Sequence, residues 1–141
     1  GYALVVVTNQ SGIARGYYTE TQYEALTTQM QQALAEAGAA VDAVYHCPHH
    51  PQGEVAELAT DCDCRKPAPG MILRAAQELH LSLADSVLVG DKPSDIEAAR
   101  AAGVGRAYLV ASEYSASKTA EVVPDGVYAD LAHCVAALLI H

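Results

Sequence analysis

Residues 86–95 read SVLVGDKPSD, a short apolar run that ends at Gly90 and is followed at once by charged residues. A continuous apolar run of this length is typical of a strand that is buried on both faces. The alanine-rich residues 94–102 come next and stop at Gly103, a pattern that predicts a short helix. The segment therefore predicts a buried strand, a polar turn and a helix in direct succession.

Apolar runs and helical repeats alternate in the same way along the rest of the chain. The predicted strands are residues 3–8, 41–46, 86–90, 106–110 and 126–129. The predicted helices run from Thr19 to Gly38, onward from Pro69, over 94–102 and over 131–140. Strands that alternate with helices are typical of α/β folds with a parallel sheet and right-handed crossovers. We therefore predict one three-layer, Rossmann-like α/β domain over residues 1–141.

Composition narrows the class of protein. The net charge of −9 argues against a general nucleic-acid binder. No apolar run approaches the roughly 18–20 residues that cross a bilayer, and the first residues lack the basic region of a signal peptide. We therefore expect a cytoplasmic monomer that binds a small molecule but neither nucleic acid nor a membrane. Its cysteines would stay reduced, which favours metal binding over disulfides.

Four soft ligands follow one another in the pattern C-x-H-x12-C-x-C, formed by Cys47, His49, Cys62 and Cys64. Three thiolates and one imidazole make a complete tetrahedral set for Zn²⁺ and leave no position for a catalytic water. We predict that residues 47–64 form a structural zinc-binding loop. His50 is the competing imidazole, because a C-x-x-H spacing is geometrically possible as well.

Two polar clusters are candidates for a phosphate site. Arg65 and Lys66 come directly after the last cysteine of the loop, and their side chains suit phosphate oxygens. Thr8 and Asn9 follow the first predicted strand, and the backbone N–H groups of a turn at 10–12 could cradle an anion there. In parallel α/β sheets, ligands bind beyond the carboxyl ends of the strands, which is where these residues are expected.

A third polar cluster follows the strand at 86–90. Asp91 stands at the strand end, and a carboxylate there suits Mg²⁺, which takes one or two carboxylates together with substrate oxygens. Asp95 is open to two interpretations, a second magnesium ligand or a charge favoured by the helix dipole. Lys92 could pair with a carboxylate or contact phosphate.

The segments VVVTNQSGIARGYYTE, CPHHPQG, CDCRKPAPGM and VGDKPSD resemble the haloacid dehalogenase superfamily and contain the second, third and fourth of its four motifs. Within it, the chain is similar over nearly its whole length to the heptose bisphosphate phosphatases. The resemblance implies a haloacid dehalogenase-like fold and favours His49 over His50 as the zinc ligand.

The resemblance also implies a phosphatase reaction, in which one aspartate attacks the C7 phosphate of the sugar and water hydrolyses the aspartyl-phosphate. By matching motifs, Thr8 and Asn9 would hold phosphoryl oxygens, and Arg65 and Lys66 would stabilise the phosphoryl group in the transition state. Arg65 would also orient the substrate, and Asp91 would bind Mg²⁺. The remaining substrate contacts would come from Ser11, Arg15 and Lys92.

One motif of the superfamily does not occur in the 141 residues. This is the first motif, Asp-x-Asp-Gly-Thr, which carries the nucleophile. We therefore interpret the chain as the larger C-terminal portion of such an enzyme, and we expect it to have no phosphatase activity by itself. Two alternatives stay open at this point: a histidinol-phosphate phosphatase, and a catalytically inactive, zinc-stabilised domain that binds a phosphorylated ligand.

Overall fold

The computed structural model of the protein describes residues 2–59, 62–110 and 123–139. The chain forms two compact units, Gly1–Arg65 and Lys66–His141, which are treated separately below. The assignment of residues 1–141 to one domain stays a prediction. None of the described helices is both long enough and apolar enough to span a bilayer.

The first unit contains a parallel pair of strands, β1 (Val5–Asn9) and β2 (Ala43–Cys47). Its helices are α1 (Ser11–Ala14) and α2 (Glu20–Glu36), and a 3₁₀ turn covers Ala56–Leu58. In the strand register Asn9 lies opposite Cys47, and the Gln10 N–H donates to the Cys47 carbonyl at 2.8 Å. The polar residues that follow β1 therefore lie beside the start of the predicted zinc loop.

The start of α2 is confirmed in detail. The Thr19 hydroxyl accepts the Gln22 N–H at 3.1 Å, and the Gln22 side chain accepts the Thr19 N–H at 2.9 Å. This is a capping box, which satisfies two backbone donors that a helix N-terminus leaves without partners. Gly38, with φ of 86°, follows the end of the helix in the left-handed region that glycine adopts without strain.

The apolar face of α2 is less buried than its sequence spacing suggests. Tyr23, Leu26 and Met30 recur at helical spacing, yet only Tyr23 is buried, whereas Leu26 is 64% exposed. Periodicity shows which residues share one face of a helix. It carries no information on whether another element covers that face.

The second unit contains a three-stranded parallel sheet in the order β3-β4-β5. Its elements are α3 (Gly70–Leu79), β3 (Val87–Gly90), α4 (Pro93–Ala102), β4 (Arg106–Val110), β5 (Gly126–Tyr128) and α5 (Leu131–Leu139), with a 3₁₀ turn at Leu83–Asp85. The core of this unit includes Ile96 on α4 and Ala107 to Leu109 on β4, all of them buried. The small side chains of Ala98 and Ala99 on α4 and of Ala107 on β4, all of them buried, allow the helix to pack closely on the sheet.

Each predicted strand and helix occurs within a few residues of its expected position, and the α/β fold with parallel strands is confirmed. Two differences stand out. The turn predicted at 10–12 continues as the one-turn helix α1, which sequence periodicity is too short to reveal. The predicted end of the last helix at 140 lies outside the described residues.

Asp125 ties the start of β5 to β4. Its Oδ2 accepts the Ala107 N–H at 2.7 Å and a guanidinium N–H of Arg100 at 3.0 Å. The bond from the Ala107 N–H is the main reason that the pKa of Asp125 lies below its ordinary value, and Arg100 adds to the effect. The ionised carboxylate therefore stabilises the folded state.

We expect Asp125→Asn to lower the free energy of unfolding at pH 7 by about 1 kcal/mol or less, since solvent screens a carboxylate of this exposure. A carboxyl group with a lowered folded pKa stabilises above its unfolded pKa and loses that effect as pH falls through the folded pKa. Urea unfolding of both proteins at pH 7 and pH 3 measures this. A difference that is the same at both pH values would contradict the assignment.

Candidate functional site

The four predicted zinc ligands lie together in the first unit. The Sγ atoms of Cys47 and Cys64 lie 3.2 and 3.0 Å from the Sγ of Cys62, and the Nδ1 of His49 lies 3.7 Å from Cys47 and 3.5 Å from Cys64. All four ligand atoms fall within 4.8 Å of one another. Around tetrahedral zinc, thiolates stand about 3.8 Å apart, so an outward shift of less than about 1 Å admits the ion. We call these residues the Cys3His cluster.

The three thiols of the cluster have unequal acidity. Burial raises the pKa of Cys47 and Cys64. At Cys62 burial also acts to raise the pKa, but hydrogen bonds from the Cys64 and Cys47 thiols and from the backbone of Cys64 and Arg65 outweigh it and lower the pKa. The cluster therefore favours negative charge on Cys62, and a soft divalent cation is the partner that thiolates and imidazole prefer.

The His50 imidazole contacts residues other than those of the Cys3His cluster. Its Nε2 lies 2.9 Å from the Nη2 of Arg15 and its Nδ1 lies 3.0 Å from the backbone nitrogen of Gln52, and the neutral imidazole accepts a hydrogen bond at one of these two nitrogens. Partial removal from water and the nearby guanidinium groups of Arg15 and Arg65 lower the pKa of His50. This geometry leaves His49 as the imidazole of the Cys3His cluster.

An open cleft of about 180 Å³ lies next to the Arg15–His50 contact. It is lined by Arg15, Tyr17, His50, Gln52 and Glu54. Arg15 directly follows α1, so the short helix places its guanidinium at this cleft. The sequence identified Arg15 as a substrate contact and offered His50 only as a zinc ligand. It did not identify Tyr17, Gln52 or Glu54, because these residues share no motif with Arg15.

Thr8 and Asn9 are the last two residues of β1, where the strand meets α1. The Thr8 hydroxyl accepts the Gln10 Nε2–H at 3.1 Å, and the Gln10 Oε1 accepts the Tyr18 hydroxyl at 2.5 Å. Ser11 is the first residue of α1. Side-chain hydrogen bonds therefore order the polar end of β1, and no sequence motif predicts these bonds.

The second unit contains the other candidate cluster, which consists of residues 90–95 together with Lys66 and which we call the β3–α4 corner. Lys66 Nζ lies 2.5 Å from Asp95 Oδ1, and both side chains are largely buried, with exposures of 14% and 7%. The other oxygen, Asp95 Oδ2, accepts the N–H groups of Asp91 and Lys92 at 3.1 Å each. Asp95 thus caps α4 and orders the backbone of Asp91, which favours the second of the two interpretations of this residue.

The sequence profile of the HAD-hydrolase-like family matches residues 63–134, which cover the whole β3–α4 corner. The chain belongs to the HAD-like hydrolases. A relative in Salmonella typhi, D-glycero-beta-D-manno-heptose-1,7-bisphosphate 7-phosphatase, is 50% identical over 138 residues, which are 98% of this chain and 73% of the relative.

The chain is also similar to further members of the HAD family that carry the same kind of name. D-glycero-alpha-D-manno-heptose-1,7-bisphosphate 7-phosphatase of Photorhabdus laumondii is 47% identical over 121 residues, 86% of this chain and 66% of that protein. The crystal structure of D,D-heptose 1,7-bisphosphate phosphatase from B. bronchiseptica, complexed with magnesium and phosphate, superimposes with a TM-score of 0.85 at 35% identity. That comparison covers 98% of this chain and 74% of the other.

The glycine at position 90 explains how the Asp95 carboxylate can lie so close to the end of β3. A Cβ atom at Gly90 would lie 2.4 Å from the Cβ and 2.5 Å from the Oδ2 of Asp95. No side chain fits in that space, so the corner requires glycine at the last position of β3. The sequence shows a glycine before Asp91, but the aspartate that packs against it is five residues further on.

We expect Gly90→Ala to displace Asp95 and so to weaken its bonds to Lys66 and to the two backbone N–H groups. The cost of such overpacking is about 1–3 kcal/mol in the free energy of unfolding, measured by urea titration. Gly126→Ala is the matched control, since its Cβ would meet Tyr108 ring atoms at 3.2 Å or more. Equal losses in both variants would argue against a special role for Gly90.

Proposed function

We propose that this chain acts in a phosphatase that removes the C7 phosphate of D-glycero-D-manno-heptose 1,7-bisphosphate, a step that supplies heptose for the lipopolysaccharide core. The observation that carries the proposal is the β3–α4 corner, where Asp95 holds both the Lys66 ammonium and the Asp91 backbone, in a chain of the HAD family. The relatives that share about half of its residues are named as heptose bisphosphate phosphatases. None of these names points to histidinol phosphate.

The residues of the β3–α4 corner suit phosphoryl transfer. The Lys66 ammonium lies in a largely buried position, where its charge acts on a phosphoryl oxygen with less screening than in water. Its bond to Asp95 restricts where the ammonium can point, so less entropy is lost when substrate binds. Lys92, the residue before α4, is proposed as a further substrate contact.

The Asp91 carboxylate is proposed to hold Mg²⁺. The chemistry of the site fits this ion, because Asp91 follows a strand end and Mg²⁺ takes one or two carboxylates together with substrate oxygens. When bound, Mg²⁺ would neutralise charge on the phosphoryl group. Asp95 contributes by ordering the backbone at Asp91, since both of its oxygens are already engaged by Lys66 and by backbone N–H groups.

The residues of the first unit are proposed to bind the phosphoryl group and the sugar. Thr8 and Asn9 would donate hydrogen bonds to phosphoryl oxygens from the end of β1. Arg65, next to the last cysteine of the zinc loop, would stabilise the phosphoryl group and orient the substrate with a guanidinium suited to bidentate contacts. Ser11 and Arg15 would contact the sugar or its second phosphate.

The proposal is tested with the intact gene product that contains this chain, supplied with Mg²⁺ and with the α and β anomers of heptose 1,7-bisphosphate. Phosphorus NMR should show loss of the C7 monoester while the C1 phosphate is retained. The isolated 141-residue chain is the matched control, and we expect no turnover from it because it lacks an Asp-x-Asp-Gly-Thr motif. Faster hydrolysis of histidinol phosphate than of either anomer would overturn the proposal.

A further inference from the structure

A line of three hydrogen-bonded side chains leads from Tyr18 to Thr8. The Tyr18 hydroxyl donates to Gln10 Oε1 at 2.5 Å, and Gln10 Nε2 donates to Thr8 Oγ1 at 3.1 Å. We propose that Tyr18 is a positioning residue, which sets the orientation of the Gln10 amide and thereby directs the Thr8 hydroxyl hydrogen toward the phosphoryl group. The substrate in this inference rests on the proposed function, whereas the hydrogen-bond line rests on the geometry alone.

The two ends of the Gln10 amide have opposite roles in hydrogen bonding. An amide has an oxygen that only accepts and a nitrogen that only donates. The pKa of Tyr18 is raised by partial burial and by Tyr23, so the phenol keeps its hydrogen and can act as a donor. With the Tyr18 hydroxyl donating to the amide oxygen, the amide nitrogen faces Thr8. The phenol oxygen can also accept a hydrogen bond, but a reversed amide would take the Gln10 oxygen away from the phenol hydrogen, which favours the observed orientation.

The direction of the hydrogen bond from Gln10 also restricts where the Thr8 hydroxyl hydrogen can point. A hydroxyl has one hydrogen and two lone pairs. Because the Gln10 N–H occupies a lone pair of Thr8 Oγ1, the hydrogen of Thr8 cannot point back toward Gln10. In the structure it is directed at the Asn9 carbonyl over 3.4 Å, a long contact that an anionic oxygen can replace.

Removal of the Tyr18 hydroxyl would release this constraint. The Gln10 amide could then rotate by half a turn and present its oxygen to Thr8. The Thr8 hydroxyl would donate to that oxygen and turn its lone pairs outward, where they repel a phosphoryl oxygen. Tyr18 would therefore influence how well the Thr8 hydroxyl stabilises the phosphoryl group in the transition state, without touching that group.

Gly12 holds the Tyr18 ring in the required place. A Cβ at Gly12 would lie 2.3 Å from Cε1 and 2.9 Å from the hydroxyl oxygen of Tyr18. The ring therefore occupies the space that any larger residue at 12 would need. An alanine at this position would push the phenol away from Gln10. The contact between Tyr18 and Gln10 therefore depends on the glycine at position 12.

The first test compares steady-state kinetics of the intact protein with those of Tyr18→Phe. We expect kcat for the heptose bisphosphate to fall about 3- to 10-fold, the range of one hydrogen bond, with KM changed less than about 2-fold. Gly12→Ala should give a similar loss. Tyr2→Phe, at a tyrosine that is 77% exposed, is the control and should match the wild type. Unchanged kcat in Tyr18→Phe would overturn the proposal.

A double-mutant cycle separates positioning of Thr8 from a general structural role. In a Thr8→Val background there is no hydroxyl hydrogen to direct, so Tyr18→Phe should lower kcat no further. If Tyr18→Phe costs the same factor in both backgrounds, the tyrosine does not act through Thr8 and the inference is wrong.

A substrate-free measurement keeps the inference independent of the proposed function. In nitrogen-15 NMR spectra, the side-chain NH₂ resonances of Gln10 should shift in Tyr18→Phe and stay unchanged in Tyr2→Phe. Unchanged Gln10 resonances in Tyr18→Phe would overturn the hydrogen-bond line. Absence of heptose bisphosphate hydrolysis by the wild-type protein would instead refute the proposed function, and the NMR result would still decide the role of Tyr18.

Discussion

Cys62→Ser is expected to abolish zinc binding and to lower the free energy of unfolding by about 4 kcal/mol or more, a size of effect typical of losing a structural metal. Cys62 lies between Cys47 and Cys64, within 3.2 Å of both sulfur atoms, and its thiol has the lowered pKa of the three. A serine hydroxyl does not ionise near neutral pH and is a poor ligand for a soft site. Metal analysis combined with urea unfolding measures both effects.

Cys134→Ala is the matched control for the zinc experiment, because Cys134 is a fully buried cysteine that lies on α5 and is not one of the four residues of the Cys3His cluster. We expect the wild type and this control to contain about one zinc per chain, retained through mild chelation. A wild-type protein that purifies without a soft divalent metal, or a Cys62→Ser variant that keeps it, would refute the assignment of the Cys3His cluster.

The second large effect is expected at Lys66. Lys66→Met should lower kcat/KM of the intact enzyme about 10²- to 10³-fold, the usual cost of removing one group that stabilises transition-state charge. It should also lower the free energy of unfolding by about 3–5 kcal/mol, because the Asp95 carboxylate stays buried without its ion-pair partner. Enzyme kinetics and urea unfolding report the two effects separately.

Two further variants separate catalysis from stability at this site. Lys66→Met combined with Asp95→Leu removes both charges, so stability should recover in part while activity stays low. Arg74→Met breaks an exposed ion pair with Glu78, and both effects should be small, with about 0.3–0.5 kcal/mol lost. If Lys66→Met retains kcat/KM within about 3-fold of the wild type, Lys66 has no part in the chemistry.

The parts of the molecule that could be predicted from sequence are those set by local patterns. The apolar run before Gly90 and the polar residues after it predict β3, its turn and α4, and the structure shows all three. The C-x-H and C-x-C spacings identify four ligands that do lie together. In both cases residues close in sequence carry most of the information.

What sequence reasoning missed depends on side chains that approach one another by folding. Nothing in the sequence pairs Arg15 with His50, which stands 35 residues away. The contact of Tyr18 with Gln10 spans only eight residues, yet it depends on α1, a helix too short to leave a periodic signal. The exposure of Leu26 likewise depends on what surrounds α2 rather than on the spacing within it.

The position of β4 has a consequence for how the second unit opens. Within the described residues, β4 is the one strand with hydrogen-bonded neighbours on both edges, and Ala107, Tyr108 and Leu109 are buried. In native-state deuterium exchange its amides should therefore be the last of this unit to acquire label, after those of β5, whose Val127 is 62% exposed. Complete exchange at Leu109 would then require loss of the whole sheet rather than fraying at its margin.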